Sequence, residues 1–194
     1  MYTDVARSVC ALGVVTGVKS PRETFAGASH SYTIEAHMGD GRALQAGTSH
    51  NLGQNFARAF NVTFTDATGT EIPVHQTSFG LSTRMLGAVV MAHGDAQGLR
   101  LPPALAPIQV VIVPIPVKPK AGEESAAATA AAGVSAAADQ LHATLTAAGV
   151  RSKVDSDPHR SPGWKFNHWE MKGVPLRIDV GARDVAKGHA PFSR

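Results

Sequence analysis

The sequence is poor in the residues that cross-link many small proteins through covalent bonds or metal ions. Only one of its 194 residues is a cysteine, Cys10, which excludes an internal disulfide and any zinc site built from several cysteines. The nine histidines are scattered and show no His-x-x-x-His spacing. We therefore expect a chain without zinc or another tightly held metal.

Long apolar runs are also absent. No segment approaches the roughly 18 to 20 apolar residues that span a membrane. Asp4 and Arg7 interrupt the first residues, which excludes a secretory signal there. The sequence therefore predicts a cytoplasmic protein with no membrane partner. Aromatic residues make up only 6% of a chain that is 43% hydrophobic, so small side chains must fill much of the core.

Charge is distributed unevenly along the chain. Residues 1–107 carry seven Lys/Arg and seven Asp/Glu, whereas residues 108–194 carry eleven and eight and hold the whole net charge of +3. The basic side chains of the second half alternate with Trp164, Phe166 and Trp169, a mixture typical of contacts with unpaired nucleic-acid bases. A basic surface on an ordinary domain is the alternative.

The first half of the sequence predicts a helix, a strand and hairpins. A helix is predicted over residues 2–12 and a strand over 13–17, followed by a hairpin whose strands meet at Gly39-Asp40-Gly41. A three-residue loop would pair Ala36 with Leu44, Ile34 with Ala46, and Glu35 with Gln45. Thr48 or Ser49 is then the expected N-cap of a helix that runs to residue 60 and buries one apolar stripe. That stripe consists of Leu52, Phe56 and Phe60.

The stretch from Gln76 to Asp95 predicts a strand followed by a buried helix. A second hairpin, turning at residues 66–69, leads into it. Arg84 would stand at the start of the helix, beside backbone N–H groups that lack intrahelical partners, although arginine usually avoids the positive end of the helix dipole. A polyphosphate bound there would explain its position. The alternative is a solvated arginine at the end of a core helix.

The second half alternates strand and helix. Leu101-Pro102-Pro103 ends the first unit, and the apolar run 108–115 predicts a strand buried on both faces of a parallel or mixed sheet. A helix is predicted within residues 118–148, with Gly149 as its C-cap, because four apolar residues keep helical spacing. Those residues are Val134, Ala138, Leu141 and Leu145. Strands over 150–154 and 174–180, separated by a helix over 164–171, complete a small α/β domain.

Several segments, in order, resemble prolyl-tRNA synthetases of the archaeal and eukaryotic type. They cover nearly the whole chain: Phe25-Ala26-Gly27-Ala28, Thr33-Ile34-Glu35-Ala36, Gln45 to Phe56 with its Thr48-Ser49-His50, Gln76 to Arg84, His93-Gly94-Asp95, Leu101-Pro102-Pro103, Ile108 to Pro114, Gly163 to Phe166, Gly173 to Arg177, and Gly181 to Asp184. The resemblance implies an α/β (α+β) protein. Residues 1–106 would be the C-terminal portion of a class II synthetase catalytic domain, with motif 3 and part of its antiparallel sheet. Residues 107–194 would be a small α/β anticodon-binding domain, truncated at its C-terminus.

The resemblance also implies an activity and a set of site residues. Members join proline to tRNA(Pro) through prolyl-adenylate, using ATP with Mg²⁺. Arg84 matches the arginine that holds the triphosphate and is the candidate catalytic residue. The other matches are Gln45, Thr48 and Ser82 for ATP, Gln45 also for its magnesium ion, and Phe25, His50, Ser78 and Gly80 for the proline pocket. Glu35 is a candidate supporting residue.

For the second domain the resemblance places five residues near the anticodon loop. These are Trp164, Phe166, Glu170, Lys172 and Arg177. Aromatic residues in so short a helix would equally suit packing against a sheet, so a structural role is the alternative for each of them.

The family pattern extends beyond this sequence. It includes an earlier motif with an arginine and a glutamate, an earlier segment that forms the homodimer, and a later zinc-bearing domain, and Ala182 stands where the family usually has a proline. The expectation is therefore an internal piece of a synthetase that would not activate proline alone. Two alternatives stay open: a non-catalytic tRNA-binding or regulatory derivative, and a sister synthetase for threonine, glycine or histidine, which Thr48-Ser49-His50 disfavours.

Overall fold

The computed structural model describes residues 1–119 and 121–193, which divide into two compact units, Met1–Ala92 and His93–Arg194. The expected boundary at 106/107 lies fourteen residues further along the chain and stays a prediction about domains. No helix among the described residues is long and apolar enough to cross a membrane.

The first unit is a four-stranded antiparallel sheet with short helices. Its strands in spatial order are β1 (Val14–Val18), β2 (His30–His37), β3 (Ala43–Gly53) and β6 (Gln76–Leu81). The helices are α1 (Tyr2–Asp4), continued by a wider π-helical turn over Val5–Val9, then α2 (Asn55–Ala59) and α3 (Arg84–His93), and β4 (Thr63–Thr65) and β5 (Glu71–Pro73) form a separate hairpin.

The predicted helix beginning at Thr48 or Ser49 is wrong. Residues 43–53 form one long strand, because β2 and β6 hydrogen-bond to it on both sides, and only Asn55–Ala59 is helical. Of its expected apolar stripe, Phe60 is 72% exposed. The helix expected after Gln76–Leu81 is present, but only Met85, Ala88 and Val89 are buried, so it buries a single face.

The second unit is a mixed sheet between two helices. Its strands in order are β10 (Ser152–Val154), β9 (Val110–Pro114), β11 (Leu176–Val180) and β12 (Phe192–Ser193), of which only β12 runs antiparallel to its neighbour. The helices are α4 (Glu124–Ala147), α5 (Pro162–Met171) and α6 (Ala182–Lys187), and β7 (Gly94–Asp95) pairs with β8 (Gly98–Leu99) in a small hairpin.

Strand β9 is buried on both faces, as its continuous apolar run predicted. Val110 and Ile112 pack with Val134 and Ala138 of α4, in a cluster that also includes Leu141 and Leu145. On the other face Val111 and Val113 pack with Trp169 of α5. The alternation of side chains along a strand thus provides one layer for each helix. The predicted C-cap Gly149 has a φ of +78°.

The proline-rich segment after β8 is tied to the second unit. The Arg151 guanidinium donates to the carbonyl oxygens of Pro103, Ala104 and Ala106 at 2.8 to 3.2 Å. The Gln109 side chain also donates to the Pro103 carbonyl, at 2.9 Å. Prolines give this segment no ladder of its own, so side chains satisfy its carbonyl groups instead.

Candidate functional site

The four-stranded sheet presents most of the predicted ligand-binding residues on one of its faces. Residues directly opposite each other on neighbouring strands share a face, as do residues two apart on one strand. Two cross-strand rows run over β2, β3 and β6: Ser31–His50–Ser78 and Thr33–Thr48–Gly80. Thr48, His50, Ser78 and Gly80 therefore lie on one face. We call it the site face.

A β-bulge places Gln45 on the same face. Gln45 and Thr48 are three residues apart, so in a regular strand their side chains would point to opposite faces. Ala46 and Gly47 together oppose the single residue Ile34, and this extra residue restores the alignment. The predicted pairing of Ile34 with Ala46 is wrong, since Ile34 pairs with Gly47. The pairs Ala36–Leu44 and Glu35–Gln45 are as predicted.

Gln45 is engaged by a nearby cation. The Lys19 ammonium donates to Gln45 Oε1 at 3.1 Å. An amide oxygen can bind Mg²⁺, but the Lys19 bond would first have to be exchanged, because ammonium and metal repel each other. Among the described residues, no group of three or more His, Cys, Asp or Glu side chains could hold a metal ion. The assignment of magnesium to Gln45 stays a prediction.

A pocket wall forms around His50. The Phe25 ring lies 5.0 Å from the imidazole, between ring centroids, and the buried Ser31 hydroxyl lies 2.7 Å from His50 Nδ1. The loop that carries Phe25 is fixed by Asn55, whose amide donates to the Gly27 carbonyl at 2.9 Å. At Gly27, with a φ of +89°, a Cβ would lie 2.7 Å from the Phe56 ring, so only glycine fits.

Arg84 is the first residue of α3, three positions after the end of β6. Its own N–H donates to Ser82 Oγ at 3.3 Å, and the N–H groups of Met85 and Leu86 donate to the carbonyls of Ser82 and Thr83. The expectation of unpartnered amides at this helix start is therefore wrong. The Arg84 side chain is exposed and makes no hydrogen bond or ion pair with any residue in the described ranges. Its charge is what the site can offer to an anion.

In the second unit, three of the five predicted anticodon residues contact one another. The Arg177 guanidinium lies 3.8 Å from the Phe166 ring centroid and pairs with Glu170 Oε1 at 2.7 Å. It also donates to Asp179 Oδ1 at 3.0 Å, and its side chain is only 14% exposed. Arg177 of β11 thus contacts both Phe166 and Glu170 of α5.

The other two predicted anticodon residues are more open. Trp164 is 42% exposed and stacks on His168, with ring centroids 4.6 Å apart, while the Arg160 guanidinium lies 4.4 Å from its ring. Lys172 is exposed, with its ammonium 5.5 Å from the Trp169 ring. Arg160 and His168 were missed from the sequence. The i, i+4 spacing of Trp164 and His168 on α5 is the signal that could have found the stack.

A buried ion pair anchors α5 on the sheet. The Lys165 ammonium lies 3.3 Å from Asp155 Oδ1, and Trp169 Nε1 donates to Asp155 Oδ2 at 2.8 Å. Burial raises the pKa of Asp155, but the hydrogen bonds from Trp169 and the Asp157 amide, with the Lys165 charge, outweigh burial and leave the pKa below its ordinary value. Trp169, 6% exposed, is therefore a core residue.

A cavity of about 410 Å³ lies in the first unit, and its lining includes Tyr32, Ser49 and Phe79. These residues alternate with the site-face residues along β2, β3 and β6, so their side chains point to the other face. Thr33 and Thr48 of the site face also line this cavity, whereas Gln45, His50 and Arg84 do not. Of the predicted site residues, its lining therefore includes Thr48 alone.

Comparison with known proteins gives consistent matches. Residues 109–191 match the family model described as "Anticodon binding domain". The chain is 53% identical over 188 residues to a proline–tRNA ligase of Mycobacterium leprae, covering 97% of this chain and 37% of that protein. It is 54% identical over 194 residues to the chloroplastic/mitochondrial proline–tRNA ligase of Arabidopsis thaliana, covering 100% of this chain and 34% of that protein.

A solved structure agrees in fold. The prolyl-tRNA synthetase from Cryptosporidium parvum, complexed with L-proline and AMP, superposes with a TM-score of 0.84 at 43% sequence identity. The match covers 98% of this chain and 38% of that one. The chain thus spans less than two-fifths of the length of each of these relatives.

Proposed function

From the premise that this chain belongs with the prolyl-tRNA synthetases, as its sequence resemblance predicted, we propose that it carries one part of a proline–tRNA ligase. The first unit would provide a share of the site in which ATP activates proline. The second would hold tRNA(Pro). Mg²⁺ accompanying ATP, a homodimeric assembly and a cytoplasmic location belong to the same proposal.

One observation supports the first half of this proposal. The bulge at Ala46–Gly47 places Gln45, Thr48 and His50 on a single face, where residues at their spacings would otherwise be divided between two faces. A strand that carries an irregularity beside several convergent polar groups is typical of a ligand site.

The proposed roles follow the chemistry of adenylate formation. A proline carboxylate oxygen attacks the α-phosphorus of ATP, and pyrophosphate leaves with the electrons of the broken P–O bond. Neither a protein nucleophile nor a general base is required, because the carboxylate is already the attacking anion. Catalysis then depends on positioning and on neutralising phosphate charge. The Arg84 guanidinium, which has no partner among the described residues, is suited to the phosphates, with Ser82 beside it.

The proline side of the site would be the wall around His50. Phe25 offers an apolar ring to the pyrrolidine, while Ser78 and Gly80 on β6 are small enough to leave room for it. Thr48 and Gln45, further along the same face, would contact ATP. Glu35, opposite Gln45, would support this part of the site.

Transplantation tests the proposal. In the Mycobacterium leprae relative, the region aligned with this chain is replaced by residues 1–194, and proline-dependent ATP–pyrophosphate exchange is measured. The chimaera should be active, and Arg84→Ala should lower exchange about 10³-fold, because one lost transition-state donor typically costs 10² to 10³ and a charged clamp somewhat more.

Arg58→Ala is the matched control. Arg58 is also exposed on a helix of the first unit, and it donates to Gln54 rather than pointing to the site face. It should keep exchange within about twofold. Near-normal exchange in Arg84→Ala would end the assignment to ATP. A folded but inactive chimaera that still binds tRNA would instead favour the non-catalytic derivative.

A further inference from the structure

We infer that Ser31 is a positioning residue that fixes His50 as the Nε2–H tautomer, so that His50 offers a hydrogen-bond donor and not an acceptor to the site face. The inference rests on the proposed function only for the identity of the ligand. Its first part concerns groups within this chain.

The hydrogen bonds of the Ser31 hydroxyl determine the tautomer of His50. Its side chain is fully buried, with 0% exposure. The oxygen accepts the Phe25 N–H at 3.1 Å, and His50 Nδ1 lies 2.7 Å away. A serine hydroxyl has one hydrogen to donate and two lone pairs to accept with. Among the described residues, Nδ1 is the one acceptor within reach of that hydrogen.

The tautomer follows from these contacts. If Nδ1 carried the hydrogen, it would donate to Ser31 and leave the hydroxyl hydrogen buried without an acceptor, which native structures avoid. If Nδ1 accepts from Ser31, the Ser31 hydroxyl, the Phe25 N–H and Nδ1 are all satisfied. The ring hydrogen of neutral His50 then resides on Nε2, which makes no hydrogen bond with any described residue and belongs to a half-buried side chain.

The tautomer selects which end of a ligand His50 can face. Proline is a zwitterion whose secondary ammonium only donates hydrogen bonds and whose carboxylate only accepts them. An Nε2–H group can bind the carboxylate and not the ammonium. His50 is thereby assigned to the carboxylate end of proline, with Phe25 against the ring; Ser31 holds both, since it also accepts the Phe25 amide.

The direct test measures the tautomer in the 194-residue chain itself. Long-range ¹H–¹⁵N NMR correlations of the histidine rings distinguish the two forms, and loss of one signal set in His50→Asn assigns His50. Wild type should show Nε2–H. Ser31→Ala should lose that preference, whereas Ser31→Thr, which restores a hydroxyl, should keep it. An Nδ1–H signal in wild type would overturn the inference.

Kinetics in the chimaera test the ligand assignment. Ser31→Ala should raise KM for proline about tenfold, the effect of one weakened hydrogen bond, with kcat and KM for ATP within twofold of wild type. Ser31→Thr should recover most of the loss. Ser29→Ala is the matched control, because Ser29 lies in the same loop as Phe25 and its Oγ donates to the Asn51 carbonyl of β3. A thermal unfolding curve for each variant separates misfolding from mispositioning.

The two failures are distinguishable. An Nε2–H signal together with an unchanged KM for proline in Ser31→Ala would overturn the placement of His50 in the proline pocket and leave the effect of Ser31 on the ring intact. A wild-type Nδ1–H signal would overturn the effect of Ser31, whatever the activity of the chimaera.

Discussion

The site face of the first unit and the α5 surface of the second unit differ in how their polar side chains are used. In the first unit, neither the Arg84 guanidinium at the start of α3 nor His50 Nε2 on the site face makes a hydrogen bond with the described part of the chain, and Thr48 and Ser78 lie in the two cross-strand rows. On the α5 surface, Arg177 pairs with Glu170 and lies against the Phe166 ring. Residues that were assigned to binding sites on the same ground, resemblance to a family, therefore differ in whether their polar groups are free to bind a ligand.

The difference assigns separate tasks to the two surfaces. Unpaired groups held by a rigid sheet can bind a ligand without first breaking internal bonds, so single substitutions there should change activity more than stability. A bonded cluster gives up its own contacts when it binds, so substitutions there should change stability first.

The largest effect is expected from inserting one alanine between Thr48 and Ser49. His50 would then lie three residues after Thr48, so regular alternation would place His50 on the face opposite Thr48 and Gln45, or force the rest of the strand to slip by one residue. Proline-dependent exchange in the chimaera should fall at least about 10³-fold, since several ligand contacts are lost together.

Ala46→Gly is the control, because it keeps the length of the strand and removes only one methyl group. Proline-dependent exchange in Ala46→Gly should fall by less than about tenfold. An insertion variant that retains substantial exchange would show that the register of this strand does not hold the site together.

The next effect concerns stability of the second unit. Asp155→Asn leaves Lys165 buried without its carboxylate, which should lower the free energy of unfolding by about 3 kcal/mol. Both tryptophans, Trp164 and Trp169, lie in this unit, so tryptophan fluorescence during urea unfolding reports on it. Asp139→Asn, on the exposed side of α4, should change stability by less than about 0.5 kcal/mol.

The same carboxylate predicts a pH dependence. The pKa of Asp155 in the folded chain lies below its ordinary value of about 4. Its stabilisation is therefore fully present above about pH 4 and is lost as the pH falls through the lower, folded-state pKa. Stability of Asp155→Asn should fall less steeply than wild type below pH 4. If the free energy of unfolding falls equally steeply below pH 4 in wild type and Asp155→Asn, this account is contradicted.

The smallest effect should separate the two parts of the α5 surface. Trp164→Ala removes the exposed ring of the Arg160–Trp164–His168 stack and should weaken binding of the 194-residue chain to tRNA(Pro) about tenfold, the contribution of one base stack, with little change in unfolding. Phe166→Ala should instead mainly lower the unfolding midpoint, since Arg177 loses its ring contact. Equal losses of tRNA affinity without destabilisation would make Phe166 a binding residue too.

The fold of the second unit could be predicted from the sequence because each element has a local signal. The run of β9 and the spacing of Val134, Ala138, Leu141 and Leu145 each match one structural period. Helix α6 was missed, although Asp184 Oδ2 accepts the Gly181 N–H at 3.2 Å and Gly188 ends the helix at a φ of +67°. The alanine at 182, where a proline is common in the family, opens that helix.

The first unit was harder because its longest strand is decided by neighbours distant in sequence. Thr48 and Ser49 are good helix caps, and Phe56 and Phe60 keep helical spacing, so local signals favoured a helix. Hydrogen bonding to β2 and β6 makes residues 43–53 a strand instead. The bulge has only a weak local signal, the glycine at 47 within a strand, and the Ser31–His50 bond has none. The site residues themselves came from resemblance to a family.

The hydrogen bonds from Arg151 to the segment 103–106 determine where a gene fragment that encodes the second unit alone should start. The family model begins at residue 109, and a gene fragment starting there would omit the carbonyl groups that Arg151 and Gln109 bind, as well as the buried Pro102 and Ala106. It would also omit Leu99 and Leu101, which close over Gly173. An open reading frame starting at codon 93 keeps all of these, so expression yield and resistance to trypsin should favour the longer fragment.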